Sequence, residues 1–375
     1  MTLLFCIITT LYVMLIAAFA IGFDKIKVFT TVKTPEKTRF SIIIAFRNEA
    51  EYLPNLLNSL TALHYPKDLF EIIFVDDDSD DGSAELIYNY LKNQPELQYV
   101  ILQNERLSHS PKKDAITKAV GEANNAWIVT TDADCTVPNT WLRSLDSYIQ
   151  TNACAVIAAP VSYSDQSSFL KRFQALDFLS LMGATIGGFG IKKPFMCNGA
   201  NFIYKKDIFL KLKGFTGNES IASGDDIFLL EKALLDNPEQ VHYLKSKTAI
   251  VSTHPQPNLK QLLEQRKRWA AKTSHYSSMF GKGVGLIVLT MNLALVLAIP
   301  FVITNVISTV IWTIIVFLKT SIDAILLYKT CRFYNSSFSI PFYLFSSILY
   351  PVFTVIVAFS SVITNYQWKG RVFRQ

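Results

Sequence analysis

Residues Phe74–Ser83 read FVDDDSDDGS, an apolar run that stops on a cluster of aspartates and a glycine. A second run, IVTTDADC at Ile128–Cys135, does the same with Asp132 and Asp134. Side chains two apart in an extended segment point the same way, so Asp132 and Asp134 converge on one point in space. Such a pair suits a hard divalent metal that carries phosphate oxygens. An isolated D-x-D is equally an acidic turn capping the helix expected near Asn139, so the surroundings decide.

Those surroundings alternate. Apolar β-rich runs at Arg39–Phe46, Glu71–Val75, Tyr99–Gln103, Ala126–Thr131 and Ala153–Ala159 predict strands. Helical patterns fall between them at Ala50–Leu63, Ser83–Leu91, Lys112–Val120 and Asn139–Ile149. Alternation of this kind predicts an α/β fold, a doubly wound and mostly parallel sheet with helices on both faces. Ligands of such sheets bind beyond the carboxyl ends of the strands. Asp76, Asp77 and Asp78 then face the same crevice as Asp132 and Asp134, and their mutual repulsion calls for a cation. Dinucleotide and P-loop chemistry are excluded, because no G-x-G-x-x-G follows the first strand and no G-x-x-x-x-G-K-[ST] occurs. GGFG at Gly187–Gly190 is too short and too late to serve.

Half of the 375 residues are hydrophobic and only 18% are charged, too apolar a balance for a purely soluble protein. Leu3–Phe23 is an uncharged run long enough to cross a bilayer. Lys25, Lys27, Lys33, Lys37 and Arg39 follow it, which places the downstream side in the cytoplasm. AFA at Ala18–Ala20 resembles a signal cleavage site, but no basic residue precedes the run, so an uncleaved anchor is expected. Five scattered cysteines without C-x-x-C spacing fit a reduced compartment and argue against structural zinc. The net charge of +6 lies partly in Lys260–Lys272 and the final WKGRVFRQ, beside apolar segments, so membrane lipid headgroups explain it better than nucleic acid.

Two further elements lie downstream. SGDDIFLLEKALL sets Asp225 and Asp226 at the start of a helical pattern, where negative charge is favoured. QLLEQRKRWAAK places Gln265, Arg268 and Trp269 on one helical face. Arginine can grip a pair of diphosphate oxygens, and tryptophan can form an apolar floor for a sugar or lipid-linked acceptor. A membrane-surface helix with basic and aromatic residues is the plainer reading of the same pattern.

The ordered set FRNE, VDDDSDDGS, TDADC, CNGANFIYKKD, SGDD and QRKRW resembles the membrane-bound family 2 glycosyltransferases with a GT-A (Rossmann-like) catalytic domain. Cellulose, chitin and hyaluronan synthases, ceramide glucosyltransferases and bacterial lipid glycosyltransferases belong to that family. The resemblance covers Phe40–Trp269. It implies that Asp77, with Asp76 beside it, contacts the donor base, that Asp132 faces the nucleotide sugar, and that Asp134 holds Mg²⁺ or Mn²⁺. Lys112, in SPKKDAI, stands where the family often has Gly-Lys, with Pro111 in place of the glycine. Asp226 matches the catalytic base, although the chain has G-D-D where E-D or T-E-D is usual. Gln265, Arg268 and Trp269 match Q-x-x-R-W on the donor side, and Asp225, Asn198 and Trp269 are expected at the acceptor.

The expected organisation is an anchor at 1–23, a cytoplasmic catalytic domain at 38–280, a membrane region of two to three spans at 284–363, and a basic tail at 364–375. Val284–Leu318 is expected to hold two spans joined near Pro300 and Asn305, Ser339–Ile363 another, and LKTSIDAILLYKTCRF (Leu318–Phe333) to lie along the interface. Three spans would leave WKGRVFRQ outside, against the positive-inside tendency. LKRFQALDFLSLMGATIGG (Leu170–Gly188) is expected at the membrane surface. So few spans offer little material for a polysaccharide channel, so the expected function is a single, inverting transfer from a nucleotide sugar to a membrane lipid in a bacterial cell membrane. A processive polysaccharide synthase is the alternative, and a non-catalytic scaffold that kept the fold is the reading from another class.

Overall fold

The computed structural model describes residues 2–369 and 371–373 and divides into two compact units. The first helix, α1 (Thr2–Lys25), belongs to the helical unit, which also takes in 165–195 and 255–375; residues 27–164 and 196–254 form the sheet unit.

The sheet unit opens with β1 (Phe40–Phe46), α2 (Leu53–Thr61), β2 (Phe70–Asp76), α3 (Ser83–Leu91), β3 (Gln98–Gln103), α4 (Pro111–Glu122), β4 (Trp127–Thr130), α5 (Trp141–Thr151), β5 (Val156–Ala158) and β6 (Val161–Tyr163). Every residue of β2 and of β4 is buried, as a strand covered on both faces requires. Burying side chains such as Ile42, Ile43, Ile72 and Ile73, all at most 1% exposed, stabilises the sheet by about 1.5–3 kcal/mol each. The parallel register pairs Phe46 with Asp76 and Ile43 with Thr130, so the carboxyl ends of three strands open on one edge.

After α6 (Phe169–Gly190), the chain returns with β7 (Phe202–Lys205), α7 (Lys206–Lys211), α8 (Asp225–Asp236), β8 (Val241–Tyr243) and β9 (Val251–Thr253). The seven-stranded order is β3-β2-β1-β4-β7-β5-β8, with β7 antiparallel to both β4 and β5. Phe202–Lys205 is not among the expected strands, and it separates β5 from β4. Its reversed direction matters, because Phe202 pairs with Thr130 and so brings the turn Asn198–Asn201 alongside the end of β4. Asn201, fully buried, fastens that turn: it donates to the carbonyls of Pro160 (2.9 Å) and Ala249 (2.8 Å) and accepts from Trp141 Nε1 (3.0 Å).

The helical unit contains α1, α6, α9 (Leu259–Ala271), α10 (Met279–Ile303), α11 (Thr309–Phe333), α12 (Ile340–Ile363) and a hairpin of β10 (Tyr366–Trp368) with β11 (Arg371–Phe373). Among the described residues four helices, α1, α10, α11 and α12, are long and apolar enough to cross a membrane, and at most 28% of each apolar window is buried within the protein. Apolar surface left uncovered on that scale needs lipid, and the protein is membrane-associated. The two spans expected within Val284–Leu318 fall where α10 ends and α11 begins, with Asn305 at φ +54° in the connection. Leu318–Phe333, expected along the interface, is instead the second half of α11: Lys319 is 1% exposed and pairs with Asp323 at 3.0 Å, which accepts from the Tyr12 hydroxyl at 2.8 Å. GGFG finds its reason here, since a Cβ on Gly187 would come within 2.5 Å of the Phe19 carbonyl and one on Gly190 within 1.8 Å of that of Gly22. The glycines let α6 and α1 touch backbone to backbone.

Candidate active site

At the end of β2 the chain turns sharply, with Asp78 at φ +67° and Gly82 at φ +82°. Asp76 accepts from the Ser79 amide at 2.9 Å and so caps this turn. Asp77, 6% exposed, accepts from Asn104 Nδ2 at 2.8 Å and from Arg106 Nε at 3.3 Å. Arg47 donates to the carbonyls of Asp77 and Asp78, and its hydrogen bond, with Arg106 nearby, holds the Asp78 carboxyl below its usual range. Arg47 closes β1 inside FRNE, whereas Asn104 and Arg106 follow β3 and were not singled out. The strand-end rule applied to a third strand would have found them.

Beyond β4, Asp132 and Asp134 point to one locality with Cys135, their ligand atoms all within 4.8 Å of one another. Two carboxylates suit a hard divalent cation, with the remaining positions open to phosphate or water oxygens. Burial, then the charges of Asp134 and Asp132, push Cys135 well above its usual range, and the neutral S–H donates to Asp134 at 3.6 Å. Tyr52, whose ring lies 5.1 Å from that of His254, feels the charge of Asp134 as well and is raised by burial first.

Lys112 joins the two halves of the site. From the first turn of α4 its ammonium reaches Asp132 at 2.7 Å and Asp225 at 3.2 Å. Burial alone would lower it, but the carboxylates of Asp132, Asp225 and Asp226 outweigh that and hold it above its ordinary value. Pro111 suits the first turn of a helix, so replacing glycine there leaves the lysine well placed. The adjacent Lys113, 2% exposed and missed by sequence reasoning, donates to the carbonyls of Asn218 (2.7 Å) and Ile221 (2.8 Å) and fastens the loop before α8.

Asp225 and Asp226 open α8 after Gly224 at φ +86°. Asp226, 9% exposed, accepts from the Gly199 amide at 3.1 Å. A Cβ on Gly199 would sit 3.0 Å from Asp225 Oδ2 and 3.6 Å from Lys112 Nζ, so the N-G-A turn runs close against both side chains. Asn198 caps the turn through the Ala200 amide at 3.0 Å. Asp132, Lys112, Gly199, Asp225 and Asp226 are thereby one contiguous group.

Gln265, Arg268 and Trp269 lie on α9 in the helical unit. The buried member of QRKRW is Arg266, 5% exposed, which pairs with Asp177 of α6 at 2.7 Å. Its guanidinium lies 4.2 Å from the centre of the Trp269 ring and donates to Gln265. The i, i+3, i+4 spacing found the face but not this residue, whose importance rests on a partner distant in sequence.

Residues 41–213 match the model of the glycosyl transferase family 2. This stretch carries a glycosyl transferase family 2 domain. The chain is 22% identical over 230 residues to glycosyltransferase AglE of Haloferax volcanii, covering 61% of this chain and 70% of that one. It is 26% identical over 144 residues to the poly-beta-1,6-N-acetyl-D-glucosamine synthase of Staphylococcus epidermidis, a match to 38% of this chain and only 33% of the synthase. In fold, this glycosyltransferase resembles the mannosyltransferase PcManGT of Pyrobaculum calidifontis, solved in complex with GDP-Man and Mn²⁺, at a TM-score of 0.64 and 14% identity over 96% and 99% of the two chains.

Proposed function

We propose that this glycosyltransferase moves a sugar from a nucleotide-sugar donor, a UDP-sugar, to a membrane lipid acceptor in one inverting, in-line displacement. The observation that carries the reading is the Lys112 ammonium, which touches Asp132 on one side and Asp225 on the other. Donor-side and acceptor-side aspartates therefore share one small volume, as a direct displacement requires. Asp76 and Asp77 with Asn104 and Arg106 receive the base. Asp132 and Asp134 would hold Mg²⁺ or Mn²⁺, which neutralises charge on the departing diphosphate when bound. Asp226, steadied by the Gly199 amide, takes the proton of the acceptor hydroxyl. Asn198 and Asp225 orient that acceptor, and Q-x-x-R-W on α9 supplies Gln265, Arg268 and Trp269 for donor binding.

In this reading 38–280 performs catalysis on the cytoplasmic face of a bacterial cell membrane, 1–23 anchors it, 284–363 holds it in the bilayer, and 364–375 is a basic tail. Basic residues from Lys25 to Arg39 directly after α1 support that orientation. The polymer-forming alternative draws on the Staphylococcus synthases, of which the chain spans a third.

Purified protein is incubated with UDP-sugars and GDP-mannose and a membrane-lipid extract, with and without Mn²⁺, as wild type, Asp134→Ala and Asp226→Asn. Metal-dependent, organic-soluble product from a UDP-sugar is expected, with Asp226→Asn lowering the rate by about 10²–10⁴-fold. A large water-soluble polymer would favour the synthase, and retained anomeric configuration by NMR would exclude inversion. Undiminished turnover in either variant would overturn the site.

A further inference from the structure

The four candidate spans raise a question of parity. The sheet unit is water-soluble in character and is followed without any apolar segment by Asp165–Arg172, at the start of α6, and by α9, whose charged run Lys260–Lys272 cannot enter hydrocarbon. Among the described residues no apolar crossing separates the two stretches, so both lie on one face of the membrane.

The helices report to these stretches in a consistent way. α1 ends beside Lys329, whose ammonium meets Asp24 and the Ala20 carbonyl. α10 begins directly after α9, and α11 ends just before Ser336, which accepts from Gln166 Nε2 at 3.0 Å. α10 and α11 thus leave and return to the same face, a hairpin through the bilayer with its bend at Thr304–Ser308.

α12 does not fit a fourth crossing. Its first turns set Phe342 and Phe345 against Phe169, with ring centres 5.4 and 5.6 Å apart. Midway, Phe353 meets Phe173 at 5.3 Å. Thr364, the residue after its last turn, accepts from Lys267 Nζ of α9 at 3.4 Å, and β10 packs on α9. Start, middle and end each touch an element of one face, and between them Tyr343 and Tyr350 reach Thr320 and Lys319 of α11. We propose that α12 is an in-plane helix, sunk in one leaflet with Leu344, Ile348, Ile356, Phe359 and Val362 among the acyl chains, and that the chain crosses the membrane three times, through α1, α10 and α11. Lys369 and Arg371 then lie on the same side as Lys25–Arg39, and the conflict with the positive-inside tendency disappears.

The test uses full-length protein in which Cys6, Cys135, Cys154, Cys197 and Cys331 are replaced and single cysteines are placed at Glu96, Asn305, Asn335 or Asn365. Sealed vesicles of each orientation are treated with a membrane-impermeant maleimide. Labelling of Glu96→Cys, Asn335→Cys and Asn365→Cys from one face and Asn305→Cys from the other is expected. Asn365→Cys labelled with Asn305→Cys would make α12 a span and overturn the proposal, as would Asn305→Cys labelled with Glu96→Cys. Protease treatment of the same vesicles, with a tail epitope on the otherwise wild-type chain, gives the same decision without cysteine replacement: the epitope is lost together with the sheet unit if α12 lies in plane, and survives its digestion if α12 crosses.

Discussion

Lys112 holds Asp132 by an ammonium–carboxylate contact of 2.7 Å, and the same ammonium reaches Asp225. Because the folded lysine titrates above its ordinary value, the stabilisation it contributes is complete below the unfolded pKa of about 10.4 and is lost only as pH rises through the higher folded value. The difference in unfolding free energy between wild type and Lys112→Met should be flat between about pH 6 and 9 and shrink above about 10. Denaturant titrations across that range check it; a difference that falls between neutral pH and 9 would contradict the bridge.

Cys135 shares one locality with Asp132 and Asp134, and burial holds its thiol well above the usual range. Cys135→Ser should change Mn²⁺ affinity, read by electron paramagnetic resonance, by less than about tenfold, the lower end of what loss of an outer-shell partner costs. Asp134→Asn should remove binding in the same assay.

A Cβ at Gly199 is tight against one side-chain atom, Asp225 Oδ2. In Gly199→Ala the new methyl would press on Asp225 Oδ2 at 3.0 Å, at a cost of about 1–3 kcal/mol in strain. A lower kcat with a thermal midpoint reduced by a few degrees is expected, and full activity would mean that the turn yields freely.

The pair of Asp177 and Arg266 is buried at both ends. Removing one partner leaves a charge without its mate, so Asp177→Asn or Arg266→Met alone should destabilise by about 3–5 kcal/mol. The double variant Asp177→Leu with Arg266→Met should recover much of that loss in denaturant melts, and additive losses would argue against the pair. Because Arg266 also touches Gln265 and Trp269, the double variant is expected to recover stability without recovering turnover.

Much of this was legible in the chain. The first four strands and helices follow from apolar runs broken by helical periodicity, and the aspartates at strand ends follow from the rule that open sheets bind ligands there. β7 was not legible, because FIYK is only four residues and its place between β4 and β5 is fixed by pairing across some 70 residues. Lys113, Asn104 and Arg266 escaped for a related reason: each acts on a partner that only the fold brings near. α12 reads as a span by length and composition, and only its contacts with Phe169, Phe173 and Lys267 argue otherwise.

The reversed strand β7 also orders the assembly of the sheet in time. β1 to β4 can pair among themselves without any residue beyond 130, but β4 keeps an open edge until Phe202–Lys205 arrives, after the whole of α6. During synthesis the end of the crevice that carries Asp76 and Asp77 can therefore form well before the turn that holds Asp226. A nascent chain arrested in that interval exposes an unpaired, apolar strand, and this is the interval in which the protein is most open to aggregation.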